Sequence, residues 1–216
     1  SYIYSADRIL ELPQSLIAIS LGAALLPRFS NYLTDGRKDL MLGEAHRAMR
    51  ALLFLAIPSA LGMYLLNTEI TDLLFGRGNF DANDILQTGQ VVAIYSALLV
   101  ATSISKVLSP GFYAMNDTKT PAVIAFFALI IHILMGNFLV DEYGLPGLAF
   151  ATTVSSALNM SLLNLQFRRK LGSLRWLEIL KAFFRWIPGL ALMTALCIYL
   201  PRQLSPFVGA SLSTAL

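Results

Sequence analysis

Long, uninterrupted apolar blocks constrain this chain more than any other feature. Six occur, at roughly 9–27, 47–66, 85–105, 121–140, 145–166 and 182–200, and a seventh apolar run begins near Pro206. A bilayer core of about 30 Å needs about 20 apolar residues per spanning helix. Lipid offers no partner to backbone N–H and C=O groups, so such blocks must be helices or closed-barrel strands. Barrel strands would alternate over about ten residues. The expected fold is therefore an all-α integral membrane protein with about six transmembrane helices plus the start of a seventh. Composition agrees: 56% of residues are hydrophobic, only 13% are charged, and mean hydropathy is +0.64. A soluble domain carries about 25% charged residues. Ser1 leads almost directly into an apolar block and Leu216 falls inside another, so the chain is read as a fragment. The lone Cys197 supports neither a disulfide framework nor a metal site.

The charges set the orientation. Arg28, Arg37, Lys38, Arg47 and Arg50 crowd the 28–50 connection, Lys106 and Lys119 the 106–119 connection, and Arg168, Arg169, Lys170, Arg175, Lys181 and Arg185 the 168–185 connection. The alternate connections are poor in cations: Glu69, Asp72, Asp81 and Asp84 outnumber Arg77, Asp141 and Glu142 stand alone, and the last connection, near 201–205, has Arg202. Cytoplasmic loops collect Lys and Arg, which places 28–50, 106–119 and 168–185 inside. Basic clusters at helix ends also suit anionic headgroups. No basic fold or motif accompanies them that would suit nucleic acid.

Between the blocks, Thr34-Asp35-Gly36 marks a turn. Leu40, Met41, Leu42, Ala45, Ala48 and Met49 then recur at the spacing of an amphipathic helix lying on the inner surface. A short outer helix is expected over Ile70–Phe75. Ser109-Pro110-Gly111 and Asn116-Asp117 mark a further connection, with Pro121 in the first turn of the next helix and Thr120 as its cap. Residues 168–181, with Trp176 among leucines, suit an interfacial helix. The Ser/Thr/Ala run at 149–157 suits close helix–helix packing.

The segment Asp7-Arg8-Ile9-Leu10-Glu11 is the most informative for chemistry. Arg8 and Glu11 are three apart and Asp7 and Glu11 four apart, so the three groups lie close to one helical face. Charges in or beside a span face a polar cavity or a partner. Spacing alone leaves two readings: a local Arg–carboxylate pair, or a substrate-facing cation. An arginine suits a pyrophosphate, because it stays charged and bonds in a bidentate fork. His46 and His132 lie on different segments, with no metal-ligand spacing. A metal site, a cofactor and a membrane enzyme with clustered acidic ligands are therefore not expected.

Tyr4-Ser5-Ala6-Asp7-Arg8-Ile9-Leu10-Glu11-Leu12-Pro13, then Leu21-Gly22 through Leu25-Leu26-Pro27-Arg28-Phe29-Ser30, resembles the eighth helix of the MviN/MurJ family. The resemblance continues through Lys106-Val107-Leu108-Ser109-Pro110-Gly111-Phe112-Tyr113-Ala114 and Asp117-Thr118-Lys119-Thr120-Pro121. It covers the whole chain as helices eight to thirteen plus the start of fourteen. It implies the fold of the multidrug/oligosaccharidyl-lipid/polysaccharide exporter superfamily, with two lobes around a cationic cavity. It also implies flipping of the undecaprenyl-diphosphate-linked disaccharide-pentapeptide precursor of peptidoglycan in the bacterial inner membrane. Residues 1–166 would be a partial C-terminal lobe, 167–216 an interfacial linker with the additional C-terminal helices, and the N-terminal lobe a partner outside this chain.

Within that resemblance Arg8, Glu11 and Asp7 are the substrate-binding candidates, and Lys106, Pro110, Asp117 and Pro121 the gate or hinge candidates. For Lys106 and Asp117 the alternative is a hinge held by local hydrogen bonds. Some family members bind sodium through the seventh, eleventh and twelfth helices. Here Asn137 and Thr152 are the polar candidates, but no carboxylate is expected within the eleventh helix, so a sodium site is not expected. Asn137 is expected to hydrogen-bond between helices, and His132 to pack or line a pore. Other functions kept open are a related exporter of polysaccharide-linked lipid or of small cations, and a membrane-embedded prenyl-phosphate enzyme.

Overall fold

The computed structural model describes residues 2–76 and 80–213, and side chains except at 16–23 and 200–213. Six helices follow in order: α1 (Tyr2–Thr34), α2 (Lys38–Leu65), α3 (Asn67–Phe75), α4 (Ala82–Ala114), α5 (Lys119–Lys170) and α6 (Trp176–Ser213). Helices α2, α4, α5 and the Trp176–Tyr199 part of α6 are long and apolar enough to cross a membrane. The chain is a multi-pass α-helical membrane protein.

Helix α5 accounts for two of the expected spans. Its only interior break is at Gly144, with φ 64° and ψ −139°. An L side chain rarely adopts that φ, and glycine does so without strain. A Cβ on Gly147 would stand 2.3 Å from the Leu139 carbonyl oxygen. Eight residues of straight helix span about 12 Å, so this approach requires that the two halves turn back on each other. The connection expected at 141–144 is thus a one-residue reversal. Asp141 and Glu142 are helical, one turn beyond Asn137. This corrects the expectation that the eleventh helix carries no carboxylate.

Three other expectations are corrected. Residues 39–49 do not lie apart on the membrane surface, because they are the first turns of α2. Their apolar stripe enters the core: Met41, Ala45 and Met49 are fully buried beside Phe112 and Phe167. Residues 168–181 do not form a separate interfacial helix. They close α5 at Lys170 and open α6 at Trp176, while Leu171 and Leu174 tuck into the same core. Ser109-Pro110-Gly111 is helical, since α4 continues to Ala114. Membrane helices tolerate proline where neighbours cover the freed backbone. Pro110 is buried, and Gly111 admits the Phe167 ring, whose Cε2 would lie 2.5 Å from an added Cβ. In addition, the connection expected near 201–205 is helical in its backbone, since α6 runs unbroken to Ser213, while side chains from 200 onward lie outside the described ones.

The ends of α1 and α4 close by the same hydrogen-bond pattern. Gly36 N–H donates to Leu33 O and Arg37 N–H to Tyr32 O; Asn116 N–H donates to Tyr113 O and Asp117 N–H to Phe112 O. This is the Schellman arrangement, with a left-handed residue after the cap: Gly36 at φ 69° and Asn116 at φ 58°. The Asp35-Gly36 and Asn116-Asp117 turn signals are realised in this way.

Helix α4 is the axis of the bundle. Its N-terminal half, through Val91, Val92, Tyr95, Leu98 and Leu99, packs with Ala6, Ile9 and Leu10 of α1 and Ala149 of α5. Its other half, through Ile104, Val107, Leu108 and Phe112, packs with Phe29, Met49 and Leu163. Helix α6 packs on α2 along a seam that pairs His46 with Glu178, Phe54 with Trp186 and Gly62 with Met193.

Candidate functional site

Arg8 and Glu11 stand on the same face of α1. Arg8 Nη1 donates to Glu11 Oε2 at 2.8 Å, and Nη2 donates to the Tyr4 hydroxyl at 2.9 Å. The guanidinium also lies 4.9 Å from the Tyr4 ring centroid, within cation–π range. Both charged side chains are more than half exposed, and they open onto a cavity of about 570 Å³ lined also by Gln14, Ser15, Leu74, Phe75 and Lys106. An exposed pair of this kind contributes little to stability. Its significance is that a permanent cation, beside its Glu11 partner, faces open space.

Lys106 of α4 and Gln14 of α1 also line a second cavity, of about 650 Å³, with Thr102, Ser105, Ser109, Pro110, Tyr113, Ser156 and Asn159. Gln14 Nε2 donates to Thr102 Oγ1 at 3.0 Å, bridging α1 and α4 where the cavities meet. Asn159 Oδ1 is buried and has no hydrogen-bond partner among the described residues. The two cavities share Gln14 and Lys106 as walls and so adjoin in one track along α1, α4 and α5, its polar side chains set in a largely apolar lining, with Arg8 toward one end, Lys106 in the middle and Asn159 beyond. The spacing Thr102, Ser105, Lys106, Ser109 follows the i, i+3, i+4, i+7 rule for one helical face and was legible in the sequence. The inward aim of Gln14 and Asn159 was not, because isolated amides are common in membrane helices as packing groups.

Of the expected site residues, Asp7 does not join Arg8 and Glu11. It is half-buried on the side of α1 toward α4, within electrostatic range of Tyr95, and does not line the Arg8 cavity. Successive helical residues are about 100° apart, so Asp7 and Arg8 flank Glu11 on opposite sides, and the Asp7 side is the one that faces α4. Pro110 lines the second cavity, and Pro121 is buried in the first turn of α5.

Asp117 is held locally. Its carboxylate accepts from Thr120 N–H at 3.0 Å and Thr120 Oγ1 at 2.7 Å, and from Lys170 Nζ. Lys170 first, then Thr120, keeps the Asp117 carboxyl down at about 2. So Asp117, rather than Thr120, caps α5. The N-cap position is Thr118, without a side-chain bond. Lys170 sits at the far end of the α5 hairpin, so this contact clasps the two halves.

Asn137 is exposed and has no hydrogen-bond partner among the described residues. Thr152 Oγ1 donates within its own helix to Leu148 O at 2.9 Å. The polar link between helices comes instead from Thr153, which reaches Ile94 O of α4 at 3.5 Å. His132 is half-buried with Nδ1 unpartnered. Among the described residues no group of His, Cys, Asp and Glu could hold a metal.

The described residues thus define a multi-pass helical membrane bundle with two adjoining cavities that carry Arg8 and Lys106. The family model described as lipid II flippase MurJ matches residues 1–215. The chain belongs to that family. It is 42% identical over 163 residues to a probable lipid II flippase MurJ of Bdellovibrio bacteriovorus, covering 76% of this chain and 31% of that protein. It is 35% identical over 198 residues to the lipid II flippase MurJ of Burkholderia cenocepacia, covering 90% of this chain and 38% of that protein. The solved inward closed conformation of lipid II flippase MurJ shares the fold, with TM-score 0.70 and 22% identity over 96% of this chain and 48% of that one. The chain spans about a third of the length of these curated relatives.

Proposed function

We propose that this chain supplies the C-terminal part of a flippase for lipid-linked peptidoglycan precursor in the bacterial cytoplasmic membrane. The observation that carries this reading is the polar track through Arg8, Glu11, Gln14, Lys106 and Asn159. The diphosphate and sugars of the headgroup follow the track while the polyprenyl tail stays in lipid. No covalent bond is made or broken. Arg8 binds the diphosphate, Glu11 and Tyr4 orient Arg8, and Lys106 offers the next cation along the path. Alternating access opens the track to one side at a time, with an N-terminal lobe forming the opposite wall.

In this reading residues 1–166 form the partial transporter lobe and 167–216 the linker and additional C-terminal helices. Connections 28–50, 106–119 and 168–185 face the cytoplasm. Asp117 and Lys170 act as a fixed clasp, and gating movements fall on Lys106 and on Pro110, which borders the track. The test is complementation of a flippase-depleted bacterium by the full-length gene. Arg8→Ala is expected to fail at normal membrane abundance. Growth equal to the unaltered protein would overturn the assignment.

A further inference from the structure

A third cavity, of about 220 Å³, lies away from the polar track, at the basic end of the bundle. It is lined by Asp39, Leu42, Gly43, His46, Ser173 and Arg175. Two glycines build it. A Cβ on Gly43 would meet nothing within 4 Å, which leaves open space above α2. Gly172, at φ 122°, brings the α5–α6 connection down so that an added Cβ would stand 2.9 Å from Leu42 Cδ1. Only glycine adopts that backbone without strain.

The chemistry of the pocket is graded along α2. His46 is 8% exposed, and neither ring nitrogen has a hydrogen-bond partner among the described residues. Its Nε2 lies 3.4 Å from Glu178 Oε2 without the alignment of a hydrogen bond. Buried polar atoms ordinarily find partners, so the imidazole is built to receive one. Arg175, held at 3.4 Å by the half-exposed Glu178, and Ser173 add donors at the same wall, and Arg50 contributes positive potential. Asp39 is exposed and supplies the acceptor one turn beyond Gly43. Seven residues separate Asp39 from His46, about 10 Å of helix rise, with His46 nearer the apolar stretch of α2. A donor-rich wall next to the membrane and a carboxylate further out follow the order of phosphate and ammonium in a zwitterionic phospholipid. The two acidic groups do not combine into a metal site, since no such cluster exists among the described residues. The volume accommodates a group of about seven waters' size.

We propose that this pocket binds the headgroup of a phospholipid carrying a phosphate and a primary ammonium, that is, a phosphoethanolamine lipid. The phosphate accepts hydrogen bonds from His46, Ser173 and Arg175, and the ammonium donates to Asp39. The bound headgroup bridges α2 to the α5–α6 connection at the root of α6. A trimethylated ammonium has no N–H to donate to Asp39, and a glycerol headgroup has no cation.

Native mass spectrometry of the full-length protein in detergent tests this, with phosphatidylethanolamine, phosphatidylglycerol and phosphatidylcholine titrated separately. Retention of phosphatidylethanolamine is expected to exceed that of the other two by about two- to fivefold, on the scale of one exposed charge pair. Asp39→Asn, at an exposed position, is expected to erase the preference while the protein stays folded. Gly43→Phe is expected to block retention, and Gly43→Ala to leave it intact. Equal retention of the three lipids, or an unchanged preference in Asp39→Asn, would overturn the proposal. So would occupancy by free phosphoethanolamine with no retained lipid.

Discussion

Lys170 donates to the Asp117 carboxylate across 53 positions of sequence, joining the first residues before α5 to its last. The same carboxylate caps the helix through Thr120. One side chain thus fixes both the start of one span and its distance from the end of the next.

The Asp117 clasp predicts an acid-labile contribution to stability. The folded carboxyl sits at about 2, below the ordinary value near 3.9. A depressed carboxylate pKa stabilises the fold above the unfolded value, and the contribution disappears as pH falls through the folded one. The loss is expected between about pH 4 and pH 2. Because Lys170 is partly exposed, its coupling to Asp117 is expected to be only about 0.5–1 kcal/mol. Thermal unfolding in detergent of Asp117→Asn, Lys170→Gln and the double variant measures it. Additive losses would contradict the clasp.

The reversal at Gly144 predicts unequal costs for two neighbouring glycines and a third one elsewhere. Gly147→Ala places a methyl against the Leu139 carbonyl, and overpacking of this kind costs about 1–3 kcal/mol. Gly144→Ala forces an L residue to φ 64° and ψ −139°, outside the left-handed helical region, for about 1–3 kcal/mol. Gly43→Ala is expected to be neutral or stabilising, since the space is open and alanine favours helix. The order of unfolding temperatures in detergent checks this.

These elements show how much was legible beforehand. Block length and apolarity gave the apolar helices α2, α4 and α6 and the pair that became the α5 hairpin, because burial in lipid depends largely on composition. The Asp35-Gly36 and Asn116-Asp117 turns were legible because left-handed caps demand particular residues. The amphipathic stripe at 39–49 was legible as a stripe but not in its partner. Met41 and Met49 satisfy equally a membrane surface or a protein core, and only tertiary packing against Phe112 and Phe167 decides. Arg8 with Glu11 followed from i, i+3 spacing. The exclusion of Asp7 from their cavity did not, since an i, i+4 offset admits either side.

Lys106 is expected to contribute to transport through its charge. It lines both cavities and has no carboxylate partner among the described residues. Lys106→Gln keeps a polar wall and is expected to slow flipping about tenfold or more, equivalent to about 1.4 kcal/mol, at unchanged abundance. Lys106→Arg is expected to retain most activity. A proteoliposome flipping assay on the full-length protein reads both.

The orientation proposal predicts that single cysteines at Lys38 and Arg169 stay shielded from an impermeant reagent in intact cells, while one at Asp81 reacts. Labelling of Lys38→Cys or Arg169→Cys from outside would reverse the topology.

The most direct test of the central claim is lipid-precursor binding and flipping by full-length Arg8 variants, with membrane abundance measured in parallel. Arg8→Ala is expected to lose headgroup binding, and Arg8→Lys to recover part of it, because charge is kept and the planar fork is lost. Glu11→Gln is expected to cost less, and to add little to Arg8→Ala, as befits a residue that acts by positioning Arg8. Wild-type binding and flipping by a normally inserted Arg8→Ala protein would contradict the account.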